Sequence, residues 1–167
     1  MKKLLMREEK RLRSMLLEQY GIDSRDIEFY SSDGSLKGKI YFSSIPKILI
    51  EHNKKLDISS LKINNIGLYL GVITNDGLRL GMDAAQLLGR RARKNIIEID
   101  RQQLVEWLNG KHVKLKRSQA IIPGFCIVKH KDIFLGSGKV GRDMETLYNY
   151  TPKARRVKES MLNQLRI

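Results

Sequence analysis

The chain has little of what a disulfide scaffold, a zinc site or a membrane protein needs. Cys126 is its single cysteine in 167 residues, which excludes a disulfide framework and a cysteine-based zinc site. The three histidines lie far apart, without the helical or hairpin spacing of metal ligands. No apolar run reaches about 18 residues, and charge interrupts segment 1–6 too early for a signal peptide. These absences predict an intracellular, cytoplasmic protein with no bound metal and no membrane partner.

Acidic residues are scarce relative to basic ones. The chain carries 32 lysines and arginines against 18 aspartates and glutamates, so its formal net charge is +14. An excess of this size weakens the compact state through self-repulsion, and it is typical of proteins that bind a polyanion. Nucleic acid is the first candidate for that polyanion, and an anionic membrane surface is the second.

Motifs of known catalysts are missing as well. Gly67 and Gly71 lie in a strand pattern with no lysine and serine or threonine after them, so they do not form a P-loop. Gly136-Ser-Gly138 lacks the third glycine of a dinucleotide-binding fingerprint, and it fits a bulge or a close backbone approach instead. Four carboxylates could suggest a metal-dependent nuclease, but each fits a turn, a helix end or a strand better: Asp76, Asp83, Glu98 and Asp100. We therefore predict no catalytic residues, no cofactor and no enzymatic activity.

Hydrophobic periodicity predicts a small α/β domain in residues 1–75. The predicted elements run in the order α-β-β-α-β, at residues 2–20, 26–30, 37–42, 46–56 and 66–73. Gly21 follows the first helix as a C-cap, and Pro46 fits the first turn of the second helix. Asn75-Asp-Gly77 is a turn signal and is interpreted as the seam between the two halves of the chain.

Residues 76–157 are predicted to be rich in β structure, with short helices inserted between strands. A helix is expected at 80–89, and a second helix at 101–108 begins after Asp100 as N-cap and ends at Gly110. The predicted strands are at residues 95–99 and 112–116, in a hairpin at 125–140, and at 146–150. This alternation of elements suits a small closed or nearly closed barrel.

Three basic segments are candidate RNA contacts. Arg90-Arg-Ala-Arg-Lys94 places four cations within five residues, which can contact several phosphates, although a solvated loop is the ordinary alternative. Segment 110–117 places lysines on one face of a strand, where they could contact an RNA backbone or protect an edge strand against aggregation. Segment 148–156 interleaves cations with tyrosines, whose rings can stack unpaired bases. Alternation puts Tyr148 and Tyr150 on the same face, so both are buried or both are presented. The structural alternative is that one tyrosine belongs to the core. The predicted RNA-binding residues are Arg90, Arg91, Arg93, Lys94, Gly110, Lys111, Lys114, Lys116, Arg117, Tyr150, Lys153, Arg155 and Arg156.

Several features of the second half occur together and point to one family. They are the strand at 95–99, the helix ending in Leu108-Asn-Gly-Lys111, and the paired strands around Gly124 and Gly136–Gly138. Together they resemble a PUA domain, the pseudo-barrel found in RNA-modifying enzymes and ribosome-biogenesis factors. The tail Tyr148-Asn-Tyr-Thr-Pro-Lys-Ala-Arg-Arg156 is similar to the end of the PUA-like module of Sun-type RNA cytosine-C5 methyltransferases. Free-standing archaeal PUA proteins are similar too.

The residue pattern and the resemblance together predict an α+β fold, with a small N-terminal α/β domain at 1–75, a PUA-like pseudo-β-barrel at 76–157 and a C-terminal helix at 158–167. The resemblance implies RNA binding, to ribosomal or transfer RNA, in ribosome biogenesis or RNA modification. The expected partners are that RNA and an RNA-modifying enzyme or ribosome-assembly factor. Cys126 follows Phe125 and not a proline, so it does not match the catalytic cysteine of the methyltransferases. The alternative is a protein-interaction adaptor on ribosomal or RNA-modification complexes, which would use the apolar faces of the terminal helices.

Overall fold

The structure is a computed structural model that describes residues 1–43, 67–116, 122–158 and 161. In the first part of the chain the elements are β1 Lys2–Lys3, α1 Met6–Tyr20, β2 Glu28–Ser31, β3 Ile40–Ser43, β4 Leu68–Thr74 and β5 Gly77–Leu80. In the second part they are α2 Met82–Leu88, β6 Ile96–Glu98, α3 Arg101–Leu108, β7 Val113–Lys114, β8 Gly124–His130, β9 Ile133–Val140 and β10 Thr146–Asn149. Short 3-10 turns follow α2 at Gly89–Arg91 and β10 at Lys153–Arg155.

The first sheet is antiparallel throughout, with the strand order β1-β2-β3-β4-β5. The turn at 75–77 joins β4 to β5, because Thr74 pairs with Gly77. The sheet therefore continues to Leu80, and the turn lies inside it rather than at its end. The helix predicted at 80–89 begins only at Met82, because Leu78 and Leu80 are buried as alternate residues of β5.

Helix α1 covers this sheet with a stripe of buried side chains: Leu12, Leu16 and Tyr20. Gly21 ends the helix in the left-handed region at φ +66°, where its N–H donates to the last carbonyls, so the predicted C-cap is confirmed. The helix begins at Met6 and not at residue 2, since Lys2 and Lys3 pair with β2 as an edge strand. Two exposed lysines suit such an edge because charge there discourages pairing with another chain.

The second sheet has the strand order β6-β8-β9-β10-β7 and curls into a half-barrel, so the predicted α+β fold is confirmed. Strand β6 runs parallel to β8, and the other neighbours are antiparallel. Helix α3 packs Leu104 and Trp107 into the barrel. Asp100 caps this helix as predicted: its carboxylate accepts from the Gln103 N–H at 2.9 Å, and the Gln103 side chain accepts from the Asp100 N–H at 2.9 Å.

The glycine step at 136–138 lets the barrel close tightly around Trp107. A Cβ added at Gly138 would lie 2.9 Å from Trp107 Cη2 and 2.9 Å from Leu147 Cδ1. The pairing of β8 with β9 also shifts register between Val128 and Lys129. The sequence predicted a bulge or a close approach to the backbone at this step, and the structure shows both.

The two halves share a core. Phe125 and Ile127 of β8 point out of the barrel into the same buried cluster as α1 and the first sheet. The Asn95 side chain donates to the Gln19 carbonyl at 2.7 Å, and Lys139 forms an ion pair with Asp76 at 2.7 Å. The outer face of the barrel is therefore partly covered by the N-terminal half of the chain.

The predictions that lie outside the described residues are the helix at 46–56, Arg117, and the helix at 158–167 except its residues 158 and 161. Within the described part of the chain, no helix has the length and apolar character that crossing a membrane requires.

Candidate nucleic-acid interface

A corner follows helix α3, and its backbone is held by two hydrogen bonds. The Gly110 N–H donates to the Trp107 carbonyl at 2.9 Å, and the Lys111 N–H donates to the Glu106 carbonyl at 3.0 Å. Gly110 has φ +83°, in the left-handed region that favours glycine. The corner turns the chain sharply and leaves the Lys111 side chain exposed.

The Arg156 side chain lies directly on this corner. A Cβ added at Gly110 would collide with the Cδ and Nε atoms of Arg156 and would lie 2.8 Å from its Cζ. The Arg156 Nε donates to the Thr151 carbonyl at 3.2 Å. Glycine is therefore required here both for its backbone conformation and for the close approach of the guanidinium.

Asn149, which belongs to the tail 148–156, bonds that tail to the corner at residues 110–111. Its buried amide nitrogen donates to the Trp107 carbonyl at 2.8 Å and to the Lys111 carbonyl at 3.3 Å, while its oxygen accepts from the Thr151 N–H at 2.7 Å. The backbone N–H of Asn149 is bonded to the His112 ring at 3.1 Å. Asn149 is not among the residues predicted from the sequence, because its signal is weak: it is a polar residue at a strand position where alternation predicts burial.

Tyr148 lies in β10 and Tyr150 directly follows that strand. Both are presented, with 39% and 41% of their surface exposed, so the interpretation that one belongs to the core is wrong. Tyr148 contacts the His112 ring edge-on at 5.1 Å, and Tyr150 contacts the Phe125 ring at 5.9 Å. The Arg79 guanidinium also lies 5.1 Å from the centre of the Tyr150 ring, so each tyrosine is partly covered by the protein and partly exposed.

Two predicted cations near the corner and in the tail form ion pairs with carboxylates. The Lys116 Nζ lies 2.7 Å from Asp100 Oδ2, and an Arg155 guanidinium nitrogen lies 3.2 Å from Asp83 Oδ1. The Gln103 backbone N–H, together with Lys116, holds the pKa of Asp100 below its usual range. Lys114 is exposed while its neighbours Val113 and Leu115 are buried, as expected for a half-exposed strand.

The basic loop 90–94 lies elsewhere, against the end of α1. Its side chains Arg90, Arg91 and Arg93 line a cavity together with Gly21 and the residues that follow it. Arg91 forms an ion pair with Asp26 at 2.7 Å, and its guanidinium holds the pKa of that carboxyl below its usual range. The structure brings the corner and the tail together but places the loop on a different cavity.

Most of the predicted cations form no ion pair with the acidic residues that the structure describes. They are Arg90, Arg93, Lys94, Lys111, Lys114, Lys153 and Arg156, and all are exposed. Four of them belong to the corner, the adjoining strand and the tail. A polyanion can therefore bind these cations without breaking an ion pair within the protein.

The single thiol of the chain, Cys126, is not placed to act as a nucleophile. Cys126 is buried in the barrel, and burial raises the pKa of its thiol to about 12. The neutral form therefore dominates at physiological pH, although the thiolate is the nucleophile. In the described ranges, no group of three or more histidine, cysteine, aspartate or glutamate side chains could hold a metal ion.

Comparison with known protein families gives a match in the second half of the chain. Residues 94–157 match the family model described as the PUA domain of methyltransferase RsmF. This segment is a PUA-like module. It contains the corner, the tail and all five strands of the second sheet, and its resemblance to the C-terminal domain of Sun-type methyltransferases is confirmed. PUA domains are RNA-binding modules. A comparison with curated proteins gives no match.

Proposed function

We propose that the protein binds structured RNA, ribosomal or transfer RNA, through the corner and tail of its PUA-like module. The observation that carries this proposal is the contact between the two segments. They are separated along the chain, and Asn149 and Arg156 join them into one basic surface within the matched residues. Lys111 and Lys153 are exposed on the two sides of that junction.

Each part of this surface has a role in the proposed complex. The lysines and Arg156 contact phosphates and supply most of the affinity, because each contact releases counterions from the RNA. Tyr148 and Tyr150 offer ring surface to unpaired bases, which gives preference for loops and bulges over regular helix. The loop 90–94 forms a second, separate area for phosphates.

The proposed role is to hold RNA rather than to modify it. Base methylation by a Sun-type mechanism needs a reactive cysteine, and a buried thiol whose pKa is about 12 cannot supply one. We propose that an RNA-modifying enzyme or a ribosome-assembly factor supplies the chemistry in trans, in the cytoplasm.

The test is RNA binding with matched charge reversals. A filter-binding titration with transfer RNA and ribosomal RNA fragments, at several salt concentrations, compares the wild type with Lys111→Glu/Lys153→Glu. We expect affinity to fall by about tenfold or more at 0.1 M salt. Lys2→Glu/Lys10→Glu is the control, because it makes the same change in net charge at exposed lysines of the N-terminal half.

Equal weakening by the two double variants would contradict the proposed surface, because it would mean that only net charge matters. A third variant, Arg90→Glu/Arg93→Glu, tests the loop, and it leaves the Arg91–Asp26 pair intact. If the wild type binds none of these RNAs but retains a protein partner after nuclease treatment, the adaptor alternative replaces this proposal.

A further inference from the structure

A cavity of about 240 Å³ lies where the two halves of the chain meet beside the tail. Strands β4 and β5 and the start of α2 form one wall, through Tyr69 and Arg79. Strand β9 and the tail form the other wall, through Ser137, Tyr150 and Arg155. The volume is below the range of about 300–1,000 Å³ that is common for pockets of drug-sized ligands. The cavity therefore suits a single small ring system.

Its walls are built for a flat, aromatic group. The Arg79 guanidinium lies 5.1 Å from the centre of the Tyr150 ring, and Tyr69 contacts the Tyr41 ring edge-on at 5.8 Å. Gly81 keeps side-chain atoms away from this wall, since a Cβ there would lie 2.7 Å from Tyr69 Cδ1. Aromatic rings and the plane of a guanidinium are the surfaces on which proteins stack unpaired bases.

The cavity also has a polar group without a partner. Ser137 is 5% exposed, and in the described part of the chain its hydroxyl is the one buried side-chain group with no hydrogen bond. Such a group calls for an explanation, because buried hydroxyls are nearly always paired. Ser137 lines the cavity, and a hydroxyl can both donate and accept, so a ligand edge that reaches it would supply the missing partner. Across the cavity, the Asp83–Arg155 pair at 3.2 Å offers both an acceptor and donors.

We propose that this cavity receives one unpaired nucleobase of the bound RNA. The base stacks against the Tyr150 and Arg79 side chains and hydrogen-bonds to Ser137 with its edge. Tyr69 and Arg79 precede the matched segment 94–157, so the cavity is formed jointly by the PUA-like module and by residues outside it. The inference rests on the proposed function, and it names the feature of the RNA that this protein selects.

The experiment compares three RNAs of one sequence with the full chain by fluorescence anisotropy: a blunt duplex, the same duplex with a one-nucleotide bulge, and that bulge with the base removed. We expect the bulged RNA to bind about fivefold more tightly or better than the duplex, as one stacked base allows. We expect the abasic bulge to bind like the duplex. The ratio of the affinities for the bulged and the abasic RNA measures the contribution of the base, because both RNAs have the flexibility that a bulge adds.

Two variants assign the preference to the cavity. Tyr150→Ala should abolish it, whereas Tyr148→Ala should retain it, because Tyr148 is exposed to the same degree but does not line the cavity. Ser137→Ala should reduce the preference by about twofold while the melting temperature stays constant or rises, since it removes an unpaired buried hydroxyl.

The outcomes separate the two proposals. Tight binding of all three RNAs without preference would overturn the nucleobase site and leave the RNA-binding surface standing. Binding of none of them would overturn both. A preference that Tyr148→Ala and Tyr150→Ala reduce equally would place the base on the open face of β10 and would also overturn the cavity assignment.

Discussion

Replacement of Gly110 by alanine tests whether Arg156 must rest on the corner. The new Cβ would lie 2.8 Å from Arg156 Cζ, whereas ordinary van der Waals contact begins near 3.4 Å. The guanidinium must therefore leave its position, and the Arg156–Thr151 hydrogen bond at 3.2 Å is lost. Alanine also resists φ +83°, at a cost of about 1–2 kcal/mol in the free energy of unfolding. Loss of one phosphate contact lowers RNA affinity by about five- to eightfold at 0.1 M salt.

Gly38→Ala is the matched control for Gly110→Ala. Gly38 has φ +95°, and a Cβ there would meet no atom of the described residues within 4 Å. Urea denaturation should give similar losses of stability for the two variants, while filter binding should show reduced affinity only for Gly110→Ala. Unchanged affinity and an unchanged salt dependence in Gly110→Ala would refute the reasoning, because Arg156 would then bind no phosphate from this position.

The helix cap, the buried thiol and one surface ion pair each give a further expectation. Asp100→Ala removes the capping box and should lower the free energy of unfolding by about 1 kcal/mol in urea denaturation. Cys126 should resist maleimide labelling in the native protein and react fully in denaturant; rapid native labelling would contradict its burial. Arg91 depresses the folded-state pKa of Asp26, so the pair stabilises the protein above the unfolded pKa. The stability gap between wild type and Asp26→Asn should therefore close as pH falls through the folded pKa; a gap that widens in acid would contradict this sign.

Local signals explain why α3 and its surroundings were predictable. Asp100 and Gln103 stand three residues apart at the start of an apolar stripe, and Gly110 follows its end, so cap, helix and corner are all encoded within one short segment. Other elements were not predictable, because they depend on which strand pairs with which neighbour. Leu80 fits the start of a helix as well as the end of a strand, and the hairpin pairing of β5 with β4 decides between them.

The site shows the same division between local and distant signals. The basic loop, the corner and the tail were each visible as charge patterns, but no local pattern indicates that the corner meets the tail and the loop does not. That contact depends on Asn149, one amide that bonds to Trp107 and Lys111. Tyr69 and Arg79 were not predicted either, because they precede the matched segment 94–157 and reach the tail only through the fold.

Ion pairing decides how much of the net charge of +14 is available to RNA. Arg91, Lys116 and Arg155 have carboxylate partners, so a phosphate must compete with an existing pair for each of them. Among the described residues, the cations of the corner, its strand and the tail that form no ion pair are Lys111, Lys114, Lys153 and Arg156. If these four alone contact phosphates, the slope of log K against log salt is about −3 to −4. The three unpaired cations of the loop 90–94 would steepen it to about −5 to −6 if one RNA spans both areas. The slope therefore measures whether the loop and the module bind the same RNA.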